Sequence, residues 1–170
     1  VSLQEVPVPQ PGADEVLVCD LSIARNRQAL TALLDAGARV RYFDHHFAGD
    51  VPIHPKLETH LDANPELCTS LLMDHWLGGR FHAWALVGAY GDALTSVAHR
   101  RAAAAGYDDE QRTALRRLGE AINYNAYGES TDDLYYHPAD LYRALAPYAD
   151  PLRFIEGEPI LDVLRQGMHD

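Results

Sequence analysis

Between residues 15 and 92 the chain alternates short apolar runs with stretches of helical period. EVLVCD (15–20) is an apolar run that ends in an acid, and ARVRYFD (38–44) alternates and is rich in strand formers. Between them, LSIARNRQALTALLDAG sets Leu30, Leu33 and Leu34 at helical spacing, with Gly37 as a C-terminal stop. Strand, helix and strand with short connections predict a right-handed parallel βαβ unit. LETHLDANPE (57–66) holds a further short strand before a proline-containing turn, and LCTSLLMDHWLGG (67–79) reads as a helix closed by two glycines. FHAWALVGAYGD (81–92) has no clean period, and its length fits either a helix or a strand.

From about residue 93 the pattern becomes helical. TSVAHRRAAAAG and DDEQRTALRRLGEAINY are helix-like, the second opened by acids at 108–110 that suit the positive end of a helix dipole. NAYGESTDD is a polar loop, and HPADLYRALAPYAD and DPLRFIEGEPILDVLRQG read as short helices broken by prolines. The expected architecture is therefore α/β: a parallel-sheet βαβ core over residues 1–95, followed by a helical extension over 96–170. Residues 1–14 read as an extended lead-in.

Composition adds limits. The chain has 170 residues and 47% apolar content, which allows one domain with a real core. It has no run of about 18 apolar residues that would span a membrane, and its start lacks the basic flank and apolar stretch of a signal peptide. Cys19 and Cys68 lie in apolar surroundings outside any C-x-x-C pattern, so buried free thiols and a cytoplasmic setting are expected. The formal net charge of -11 argues against long nucleic acid as a partner. A small phosphorylated substrate remains compatible, because a divalent cation inverts the local charge logic.

Three candidate strands end in acids, Asp20, Asp44 and Asp92, and two histidines, His45 and His46, follow the second. A polar turn accounts for any one of these residues, but together they form a constellation. Ligands in a parallel α/β sheet gather beyond the carboxyl ends of the strands. Carboxylates with imidazoles there suit Mn²⁺, Mg²⁺, Fe²⁺ or Zn²⁺, and a bridging carboxylate suits a two-metal hydrolytic site.

The ordered set Asp20, Asp44-His45-His46 and Gly91-Asp92, with LDANPELCTSLL after the triplet, resembles the DHH family of phosphoesterases. That family includes RecJ-like exonucleases, small-oligonucleotide and cyclic-dinucleotide phosphodiesterases, exopolyphosphatases and pyrophosphatases. The resemblance covers roughly residues 15–95. It implies Mn²⁺ or Mg²⁺ in a two-metal site of the complete protein, with Asp20 bridging the metals. His45 and Asp92 would ligate one of them, His46 would face the substrate phosphate or leaving group, and Asp44 would stand behind the ligands. The family's first motif, Asp-x-Asp on a preceding strand, and its glycine-rich C-terminal substrate domain have no match. The chain is therefore expected to be a partial catalytic domain from the middle of a larger protein, with an exposed sheet edge through which it can pair as a homodimer.

Two alternatives accompany this expectation: a non-catalytic or regulatory relative that binds metal or nucleotide, and a metal-free structural module. The last would leave the carboxylates converging without a cation, an arrangement disfavoured by repulsion. Other residues have simpler readings. His60 and Asp62 lie near the site but carry little weight as ligands. Thr69 and Ser70 read as helix caps ahead of phosphate contacts, Arg39 and Arg41 as solvent-facing strand charges, and Trp76 and Trp84 as core. NYNAYGES (123–130) reads as a helix end and turn, with a base-stacking loop as the functional alternative.

Overall fold

A computed structural model describes residues 15–126, 134–157 and Leu164. The extended lead-in expected at 1–14, most of the loop NAYGESTDD (127–133) and most of the last helical stretch (158–163 and 165–170) lie outside the described residues. The fold is mixed α/β, with three strands in one parallel sheet and seven helices among the described residues. The chain divides into two compact units, Val1–Met73 and Asp74–Asp170.

The first unit holds β1 (Glu15–Cys19), α1 (Ile23–Asp35), β2 (Arg39–Asp44) and β3 (Leu57–Leu61), with sheet order β1-β2-β3. The register pairs Val16 with Val40 and Val18 with Tyr42. It also pairs Val40 with Leu57. Alternation therefore turns Val16, Val18, Val40, Tyr42 and Leu57 to one face, where Ile23, Leu30, Leu33 and Leu34 of α1 complete a core. α1 stops as the sequence predicts. Gly37 takes φ 95°, its N–H donates to the Leu34 carbonyl, and the Ala38 N–H donates to the Leu33 carbonyl. This is a Schellman closure, in which glycine carries the left-handed residue without strain. On the other face Arg41 bonds Glu58, its register partner on β3, at 2.9 Å.

The connection from β2 to β3 is unusual. Parallel neighbours need a crossover of a dozen or more residues, commonly a helix. Here residues 45–56 make the crossover without helix or strand, so His45 and His46 begin an irregular loop.

The second unit is helical. α2 (Thr69–Trp76) runs across the division, and α3 (His82–Gly91), α4 (Thr95–Ala104), α5 (Asp109–Tyr124), α6 (Pro138–Leu145) and α7 (Pro151–Gly157) follow. Asp108 caps α5 by a full capping box with Gln111. The segment ending in Gly91-Asp92 is thus a helix, which corrects its use as a strand-end acid motif. It buries Ala85, Leu86, Val87, Ala89 and Tyr90, and a helix covered on most sides shows no amphipathic period. α3 packs on α5, α4 and α7, within the compact unit that begins at Asp74. Two smaller expectations also change. Trp76 is exposed, and Cys19 is exposed while Cys68 is buried.

The crossing of α3 and α5 depends on glycine. A Cβ on Gly119 would lie 2.3 Å from the Val87 carbonyl oxygen and 2.9 Å from the Gly91 nitrogen. Gly91 thus serves helix contact, and Asp92 follows as the cap residue of α3. Glycine to alanine inside a helix normally gains about 0.5–1 kcal/mol. Gly119→Ala should do the reverse, losing about 1–3 kcal/mol through overpacking in chemical denaturation. A neutral or stabilising result would contradict this packing.

Candidate metal centre

The site lies in the first unit, beyond the carboxyl ends of β1 and β2. Asp20 leaves β1 with φ 62°, a left-handed conformation that aspartate tolerates better than most residues. Its N–H still donates to the Phe43 carbonyl, at 3.0 Å, continuing the β1–β2 ladder. The next turn is tied down by the Tyr42 hydroxyl, which donates to the Leu21 carbonyl. Burial, and then the Asp44 carboxylate, pushes the Tyr42 hydroxyl well above its usual pKa, so it remains a donor.

His45 is oriented from the far side. Its Nδ1 lies 3.1 Å from the Leu67 carbonyl oxygen. A carbonyl only accepts, so this contact places the proton on Nδ1. Nε2 then lies 3.4 Å from Asp20 Oδ1. In the neutral imidazole that nitrogen carries a lone pair, which faces a carboxylate oxygen. A cation placed between these two atoms would be drawn to both.

The turn that supplies Leu67 has its own logic. The Asp62 carboxylate accepts from the Asn64 N–H, and the Asn64 side-chain oxygen accepts from the Glu66 N–H, both at 2.9 Å. Two successive Asx turns around Pro65 thus bring the chain from the end of β3 to Leu67. Two residues on, the Thr69 hydroxyl donates to Asp20 Oδ1 at 2.8 Å. Thr69 therefore holds the carboxylate, where the sequence suggested a helix cap. Cys68 takes the cap position, its carbonyl accepting from the Leu71 and Leu72 N–H groups.

His46 leans on Asp44. Its Nδ1 donates to Asp44 Oδ1 at 2.7 Å, and Asp44 is wholly buried, its Oδ2 without a hydrogen-bond partner among the described residues. A carboxylate behind an imidazole fixes its tautomer and raises its basicity as a ligand. The two rings stand 4.6 Å apart between centroids. One ligand atom from each of Asp20, His45 and His46 lies within 4.8 Å of the others, the one such His/Cys/Asp/Glu group among the described residues.

The structure therefore brings together three of the five residues singled out from the sequence, with Asp44 directly behind one of them. Asp92 belongs to the helical unit and is outside this group. Its neighbour Ala93 has φ 60° and, with Asp20, makes up the two non-glycine residues with positive φ among the described residues. Sequence reasoning missed the Leu67 carbonyl, which has no residue-type signature, and the part played by Thr69. The Asn-Pro turn was the one available signal for both.

The donor set fits a divalent cation. Two donors about 2.1 Å from one ion stand about 3.0–3.4 Å apart at octahedral or tetrahedral angles, and the Asp20–His45 separation falls at the tetrahedral end of that range. Mixed carboxylate and imidazole ligation suits Mn²⁺, Fe²⁺ or Zn²⁺, and Mg²⁺ when water completes the shell. A cleft of about 590 Å³ opens beside the cluster, lined by Asp20 and His46 and by the start of α1.

No protein-family model matches the chain, and no similar protein was found among curated proteins or solved structures. No helix among the described residues is long and apolar enough to cross a membrane.

Two outcomes test this geometry without a metal. Long-range ¹H–¹⁵N spectra above pH 8 should show the Nδ1–H tautomer for both His45 and His46; the Nε2–H form of His45 would contradict the Leu67 contact. Ala93→Gly should raise stability by about 0.5–1 kcal/mol, since Ala93 is exposed and the left-handed penalty removed exceeds the chain entropy that glycine adds to the unfolded state. No gain in denaturant midpoint would mean that this turn is not strained.

Proposed function

We propose that the chain is part of a metal-dependent phosphoesterase of DHH type, acting on phosphodiester or phosphoanhydride bonds of a small anionic substrate. The observation that carries the reading is the His45 Nε2 edge turned onto the Asp20 carboxylate at 3.4 Å, with His46 completing a three-donor group. A divalent cation bound there would supply a Lewis acid for a phosphoryl oxygen and lower the pKa of bound water. Asp20, held by Thr69, and His45, held by Leu67, would bind it. His46, braced by Asp44, either adds a ligand or, as the family resemblance implies, faces the leaving oxygen and donates a proton to it. The DHH-type fold and the second metal belong to this proposal. So do a cytoplasmic setting, a homodimer and a longer complete protein.

One observation favours a second reading. The described residues gather three donors in a single group, enough for one ion, which also suits a non-catalytic module that binds metal or nucleotide.

Metal addition and removal separate the readings. At pH 8, Mn²⁺ at a hundredfold over its Kd should stabilise the native chain by about 2.7 kcal/mol, reversibly on EDTA addition. Asp20→Asn and His45→Ala should abolish the effect. Asn is the better replacement at residue 20 because it also tolerates positive φ. Absence of any Mn²⁺, Mg²⁺ or Zn²⁺ response would overturn both metal readings. Mn²⁺ binding with no hydrolysis of oligonucleotides, cyclic dinucleotides or polyphosphate by the complete protein would favour the non-catalytic module.

A further inference from the structure

We propose that Phe47 and Arg25 form a subsite for a nucleobase and its adjoining phosphate, so that the substrate is a nucleotide rather than a base-free polyphosphate; this rests on the phosphoesterase reading above. The cleft beside the cluster joins the two chemistries. Asp20 and His46 form its metal-facing end, and Ser22, Arg25, Asn26 and Phe47 line the rest. Phe47 follows His46 directly in the chain, yet its ring is 80% exposed.

The ring's position is set locally. Gly49, at φ +62°, comes so close to α1 that a Cβ on it would stand 3.6 Å from the Ala24 Cβ and 4.0 Å from the Phe47 ring. Asp50 pairs with Arg27 of the same helix at 3.6 Å. The loop is thus laid against the first turns of α1, and the Phe47 ring stands at the cleft. A phenyl ring left in water forgoes about 2 kcal/mol of burial. A flat base recovers that area by stacking on the ring, whatever its hydrogen-bonding edge.

Arg25 supplies the complementary charge. The chain carries 25 acids against 14 lysines and arginines, and Arg27 and Arg41 both face carboxylates. Arg25 is exposed at the cleft with no carboxylate partner among the described residues. Its guanidinium matches a phosphate in the two-pronged geometry that lysine lacks. Inorganic polyphosphate would use Arg25 and leave Phe47 idle. A nucleotide uses both.

The test compares adenosine monophosphate, ribose 5-phosphate and pyrophosphate by calorimetric titration, with and without Mn²⁺. Adenosine monophosphate should bind about tenfold or more tightly than ribose 5-phosphate. Phe47→Ala should erase that ratio, Phe47→Trp should restore it, and Arg25→Gln should weaken both ligands alike. The exposed ring makes Phe47→Ala safe for folding, and an unchanged melting temperature with retained Mn²⁺ stabilisation checks this. Equal binding of the two monophosphates to the native chain, an adenosine monophosphate affinity indifferent to Phe47→Ala, or tighter binding of pyrophosphate would overturn the subsite while Mn²⁺ stabilisation leaves the metal site standing. Conversely, a Phe47-dependent ratio without any Mn²⁺ response would keep the base subsite and remove the metal.

Discussion

The site depends on one contact, the bond from His45 Nδ1–H to the Leu67 carbonyl. It settles which ring nitrogen carries the proton and aims the other at Asp20 Oδ1, 3.4 Å away. Two electron-rich atoms at that distance repel unless positive charge lies between them. Everything around the pair keeps it from relaxing. Thr69 holds the carboxylate, the left-handed turn at Asp20 fixes where that carboxylate starts, and Tyr42 ties the same turn to β2. The fold thus commits several hydrogen bonds to an arrangement that water alone would disperse.

The supporting turn shows how an ordinary loop becomes part of a centre. Asp62 and Asn64 each accept a backbone N–H two residues on, and Pro65 stiffens the interval between them. The result delivers Leu67 to His45 and Thr69 to Asp20. Asp62, an acid at the end of β3, thereby serves the site through backbone geometry alone, without contributing a ligand. Opposite it, the helix-free crossover after β2 lets two consecutive histidines diverge, His45 toward Asp20 and His46 back onto buried Asp44.

Much of the first unit was legible in the sequence, for physical reasons that can be named. Alternation in VLVC and RVRYF marked strands with one buried face, the leucines of α1 marked its inner stripe, and Gly37 marked its end. The acids and histidines after β1 and β2 then fell at one sheet edge. The stretch ending in Gly91-Asp92 was not legible as a helix, because burial on most sides erases the period and its glycine serves a helix crossing. Thr69 and Leu67 were hidden because their roles depend on a turn that brings distant backbone to His45 and Asp20. Phe47 carries no signal in the sequence, where a single aromatic after a polar triplet has no pattern to belong to; only its exposure at a cleft gives it meaning.

The metal reading stands or falls on whether Asp20 and His45 share one divalent cation. Anomalous diffraction at the manganese edge, from crystals of the native chain soaked in Mn²⁺ at pH 8, tests it directly. A peak should lie within bonding distance of both Asp20 Oδ1 and His45 Nε2, with Leu67 still accepting from Nδ1. A peak elsewhere, or none while Asp20 and His45 remain in direct contact, would contradict the shared cation.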